Sequence, residues 1–169
     1  MSNRIGLALA ILMVLTSPRI ASSGEPPQVT NGRPLDEARR QAEVLHTALH
    51  AALQVVHHRY YREDEGLPIP AATLKDVFAE LEEEHRLKLR WLAVEGQAMN
   101  TDHKPRDAFE REAVEALKSG SRQFERAENG VYRRAGSITL GNHCLKCHVP
   151  NRKSTEDRTA GLIIAIPIE

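Results

Sequence analysis

Two thiols three positions apart, with an imidazole directly behind the second, are the residues of this chain best suited to chemistry: Cys144-Leu145-Lys146-Cys147-His148. At this spacing two thiols add across the two vinyl groups of a haem as thioethers, and the adjacent His meets the iron from the proximal side. Two other chemistries use the same residue types. A thioredoxin-like dithiol needs a strand-to-helix context inside a βαβ unit, which the pattern around residue 144 does not suggest. A zinc site built from His143, Cys144, Cys147 and His148 would place consecutive ligands at both ends, a poor geometry for a tetrahedron, and there is no second Cys pair to complete a better one. One covalent haem c is therefore the expected cofactor. Cys144 and Cys147 are the attachment points and His148 the proximal iron ligand, with a haem-free zinc or dithiol protein as the alternative.

A haem iron often takes a second protein ligand, and methionine is a common partner of His. No Met follows residue 99, so the plan with a downstream Met ligand does not apply. Met99 stays an alternative. His46, His50 and His57 are closer in pattern: at 100° per residue they fall within about 40° of one another on a single helix face. His57 is the expected distal ligand, with His50 second. His85, near a helix end, and His103, in a loop, read as solvent-facing. Lys146 and Arg152 are candidate partners for the haem carboxylates, or simply solvated cations.

These side chains need a scaffold, and the hydrophobic pattern outlines one. A long helix over residues 36–62 carries the stripe Leu45, Leu49, Ala52/Leu53, Val56 and Tyr60 and ends before Gly66 and Pro68. A second helix covers 73–85, with Thr73 and Asp76 as a capping pair. Residues 88–94 switch to alternation and predict a strand. Residues 99–105 form a loop, and Pro105 opens a third helix with Phe109, Ala113 and Ala116/Leu117 inside, stopping at Gly120. Strands over 123–128 and 131–140 flank Asn129-Gly130, a hairpin turn signal. Gly161 to Ile168 predicts a buried closing strand.

The first residues read as an export signal. Arg4 precedes an apolar run from Ile5 to Leu15, and Ala21-Ser22-Ser23 supplies the small residues of a cleavage site near Ser23/Gly24. That run is shorter than the roughly 20 residues a bilayer span needs. The expected organisation is a signal peptide over 1–23, a Pro- and Gly-containing leader over 24–35 and one domain over 36–169. The mature protein would be soluble and periplasmic. The 23 Lys and Arg balance 23 Asp and Glu, so nothing points to nucleic acid as a partner. Two cysteines in an exported chain of 169 residues do not make a disulfide scaffold.

Asn142 to His148, followed by Gly161 to Ile168, resembles the end of the c-type haem domains of uncharacterised function that adopt a PAS-like fold. Gln97-Ala98-Met99-Asn100, then Pro105, Phe109 and Glu110, resembles that family's middle motif of Arg-Asn-Pro-x-Asn type. Ala52-Leu53-Gln54-Val55-Val56-His57 resembles its ligand helix, with His57 where the family carries a distal Cys. The resemblance covers roughly residues 38–168 and implies His/His ligation by His148 and His57. Such domains often form the sensory part of membrane receptors and kinases, and a chain with no kinase or receptor segment would need a partner to signal.

The combined expectation is an α+β, PAS-like domain, with N-terminal helices packed on a C-terminal antiparallel sheet and one covalent haem between the first helix and the motif. Its role would be electron transfer with a redox partner protein, or redox or small-ligand sensing at the haem. A haem enzyme, such as a peroxidase or a nitric-oxide-handling protein, is the alternative. A four-helix bundle with the motif near its end is disfavoured by the β-like residues 122–140 and 161–168.

Overall fold

The computed structural model describes residues 33–96, 98, 100–148 and 153–169. The expected signal peptide, most of the leader, Met99 and Arg152 lie outside these residues. Helix α1 spans Leu35–Arg59, α2 Pro70–His85 and α3 Ala108–Lys118. A short α4 covers Asn142–His148. Strands β1 (Lys88–Ala93), β2 (Gln123–Glu128), β3 (Val131–Leu140) and β4 (Arg158–Pro167) form one sheet in the order β1-β4-β3-β2. All three pairings are antiparallel. The α+β class with helices on an antiparallel sheet is therefore as expected, and the arrangement is consistent with a PAS-like fold.

The strands alternate as a two-faced sheet must. Leu89, Trp91, Tyr132, Ile138, Leu162, Ile164 and Ile166 face α1 and α2. Leu92, Ala135 and Ile163 face α3, where Phe109, Ala113 and Leu117 cover them. The β2–β3 turn has Asn129 and Gly130 both at positive φ, the backbone of the tight hairpin that Asn-Gly favours. Arg33 adds a parallel bridge to Ile168, so the described chain joins the sheet just before α1 begins.

Two expected helix starts differ. Helix α2 starts at Pro70, with Ile69 in the capping position and no side-chain cap; proline's fixed φ suits the first turn, and Thr73 lies inside the helix rather than capping it. Helix α3 is capped by Asp107, whose side chain accepts from Glu110 N–H, so Pro105 precedes the helix instead of opening it. The stripe on α1 also turns. Leu49 is buried and Leu45 and Leu53 pack against the core, but Val56 and Tyr60 are 42% and 68% exposed. The last two turns of α1 turn His50, Gln54 and His57 inward instead, and all three are partly buried.

Candidate functional site

The Cys-x-x-Cys-His run forms α4, which starts immediately after β3. Cys144 N–H and Leu145 N–H both donate to Gly141 O, at 2.8 and 3.2 Å. The motif thus does have a strand before a helix. The sheet around it is antiparallel, however, and supplies no βαβ unit. Leu145, only 1% exposed, pins the helix to the core. Cys144 and His148, four residues apart, fall on the same helix face. Both line one hollow between α1, α2, the sheet and α4.

The hollow has a narrow part of about 30 Å3 and a wide part of about 230 Å3. Leu53, Ile69, Ala71, Ile138, Leu140 and His148 line both parts. His57 and Cys144 line the narrow part alone; Lys75, Trp91, Glu95, Asn100 and His103 line the wide part alone. Space is kept by small residues: Ala71, Ala72, Ala93 and Ala160 stand on the wide part's wall. Trp91 closes one side and is fixed there, its indole Nε1 donating to Ala71 O at 2.9 Å.

The two imidazoles of the narrow part favour their neutral, ligating form. Burial pushes His148 below the ordinary imidazole value, and the nearby His57 adds to the shift. His57 is lowered by burial and then by His143. His57 also reaches the outer surface, where it meets the Tyr61 ring at 5.0 Å between centroids. Just beyond, His58 and the exposed His143 stack edge to face.

The other histidines of α1 are used differently. His46 Nε2 donates to Ser137 O at 3.1 Å, with its ring laid over Gly136 so closely that a Cβ there would lie 2.1 Å from it. His50 accepts from Gln54 Nε2 at 3.3 Å, and the same Gln54 nitrogen donates to Thr139 O at 2.8 Å. His46 and Gln54 thus tie α1 to β3, and neither His46 nor His50 lines the hollow. Of the α1 trio only His57 meets the motif.

His103 departs from its solvent-facing reading. It ends a 3-10 turn over Thr101–His103, lines the wide part of the hollow, and its Nε2 is buried with no hydrogen-bond partner among the described residues. Its position is set from a distance. Arg90 on β1 donates through one nitrogen to the carbonyls of Asp102 and Lys104, on either side of His103, and through another to Glu110. Glu110 is only 2% exposed. It also accepts from Arg106 N–H at 2.8 Å and from Arg133 Nη2 at 3.2 Å. The signal that could have found this clamp is an Arg inside a half-buried strand and a Glu on the inner face of α3 beside Phe109.

An apolar hollow bordered by a thiol and two neutral imidazoles has the donor set and the dryness that a ligated tetrapyrrole requires. Among the described residues no three His, Cys, Asp or Glu converge as a bare metal site. No helix among them is long and apolar enough to cross a membrane.

Comparison with known proteins follows the same line. The solved crystal structure of the cyanobacterial heme-protein Tll0287 superposes with a TM-score of 0.56 at 15% identity, covering 79% of this chain and 94% of that one. At that identity the likeness is one of fold. No curated protein sequence matches this one. The family described as Tll0287-like matches residues 31–163, most of the chain and all four helices, and the chain belongs to the Tll0287-like family.

Proposed function

We propose that this chain is an exported single-haem c-type cytochrome acting in electron transfer or in redox or small-ligand sensing. Cys144 and Cys147 carry the haem as thioethers, His148 is the proximal ligand and His57 the distal one. The observation that carries this reading is the meeting of α1 and α4. His57 and His148 line one narrow apolar space, with Cys144 on its wall. The fold shared with a cyanobacterial heme-protein supports it. When bound, the haem supplies a one-electron couple at the iron. The chain's residues do the rest: Leu53, Ile69 and Ile138 exclude water, and burial keeps both imidazoles unprotonated and available. His57 and His148 would both hold the iron, which would suit electron transfer, a reaction that needs no open site for a substrate.

The test is a pyridine haemochrome assay and a visible spectrum on protein made with a cytochrome maturation system. Wild type should carry one covalent haem with a low-spin spectrum indifferent to carbon monoxide. His57→Ala should turn the spectrum high-spin and open it to carbon monoxide. A wild-type protein without covalent haem would sink the reading, and an unchanged low-spin spectrum in the variant would remove His57 as ligand.

A further inference from the structure

The wide part of the hollow holds groups that an iron ligand set leaves unused. Lys75, on the exposed side of α2, borders it and has no carboxylate partner among the described residues. His103 borders it with a buried Nε2 that has no partner among the described residues. The Arg90 clamp holds His103 in place from both sides. The one carboxylate on that wall, Glu95, is already engaged, accepting from Thr159 N–H at 2.7 Å. One end of the space therefore sets the Lys75 ammonium and a nitrogen of His103 beside a Glu95 carboxylate that is already engaged. A buried imidazole nitrogen left without a partner is unfavourable, so a partner from outside the described residues would suit it.

The chemistry of the haem says which partner. Its two vinyl groups lie on one half of the macrocycle and its two propionates on the other. In this chain the thioether half must sit at Cys144, and Cys144 lines the narrow part only. The propionate half then extends into the wide part. Resting on the haem reading above, we propose that Lys75 and His103 are the propionate site, binding the haem carboxylates by a charge-assisted hydrogen bond from each. Lys146 does not suit this role, because it lies between the two cysteines, at the thioether half, and borders the outer basin with His57 and His58.

The experiment uses holoprotein and reads two quantities, the propionate bending band in the resonance Raman spectrum and the midpoint potential at fixed pH. Lys75→Gln and His103→Leu should each shift the bending band while leaving the low-spin absorbance unchanged. Lys75→Gln should also lower the potential, because removing a cation beside the haem favours the ferric state. Lys75→Arg should keep the wild-type values. Lys75 is exposed, so its replacement tests the site even where His103→Leu disturbs the fold. Two results overturn the proposal with covalent haem still present: a band and potential unchanged in the Lys75→Gln and His103→Leu proteins, or a low-spin to high-spin change in His103→Leu, which would make His103 an iron ligand. Absence of covalent haem in wild type overturns the cytochrome reading itself, and this site with it.

Discussion

The two faces of the sheet are built to opposite ends. On the α3 face, Phe109, Ala113 and Leu117 close against Leu92, Ala135 and Ile163. The carboxylates there are also satisfied: Glu110 has three donors, and Asp107 pairs with Arg133 at 2.7 Å. On the α1 and α2 face, alanines hold open about 230 Å3. Were it closed and dry, a cavity of that size would cost about 5 kcal/mol at ~24 cal/mol per Å3, comparable with the whole stability of a small domain. A chain that can fill one face so completely does not leave the other hollow by accident of packing. The filled face is scaffold and the hollow face is site, and Arg90 connects them, with one nitrogen on Glu110 and another on the His103 loop.

The largest expected effect breaks that connection. Glu110→Ala leaves Arg90 and Arg133 side by side with their shared carboxylate gone. Losing one partner of a buried ion pair costs about 3–5 kcal/mol. Denaturant unfolding should show this loss in full, and the His103 loop should lose protection in hydrogen exchange along with it. A cost below about 1 kcal/mol would mean that the α3 face does not depend on this network.

A smaller, paired test contrasts the two faces directly. Ala113→Leu adds three carbons to a fully buried position on the filled face, where overpacking costs about 1–3 kcal/mol. Ala160→Leu adds the same carbons to the wall of the hollow. The protein without haem should tolerate it or gain slightly, while the yield of covalent haem should fall several-fold. Equal destabilisation by the two substitutions would mean that the hollow is not a preformed space.

How much of this is legible in the sequence differs between the same two regions. The elements themselves follow from periodicity and turn chemistry, because Leu49, Phe109 and the Asn129-Gly130 turn act locally. The Cys-x-x-Cys-His motif is legible because its residue types and spacing stand in five consecutive positions, whatever the fold. The histidines of α1 are only partly so. A helical projection places His46, His50 and His57 together, but it cannot see that Ser137 O and Gln54 already engage the first two. His103 reads as exposed in the sequence because a polar loop normally is. Its burial depends on Arg90, thirteen positions earlier, holding the carbonyls on either side of it, and no local pattern encodes that. The end of the α1 stripe misleads for a related reason: Val56 and Tyr60 are apolar, yet α4 draws His57 inward beside them.

The smallest effect separates the faces by pH. His46, His103 and His148 all border or brace the hollow face, and burial comes first among the causes that lower each of them. His57 behaves alike. A group held neutral by the fold contributes stability that is present above its unfolded value of about 6.5 and is lost as pH falls through its folded value. The protein without haem should therefore weaken as pH drops below about 6.5. On the filled face, burial raises Asp107 but its bonds to Arg133 and to Glu110 N–H outweigh that and hold it below the usual carboxylate range. Its contribution persists above about 3.9 and fails only in stronger acid. Acid unfolding followed by urea midpoints should thus show two stages. His46→Gln, which can keep a donor near Ser137 O, should shrink the first stage and leave the second alone. Covalent haem ligated by His57 and His148 should also shrink the first stage, because an imidazole bound to iron no longer takes up a proton. A single transition below about pH 4, identical with and without haem, would place the acid sensitivity on the α3 face and separate it from the site.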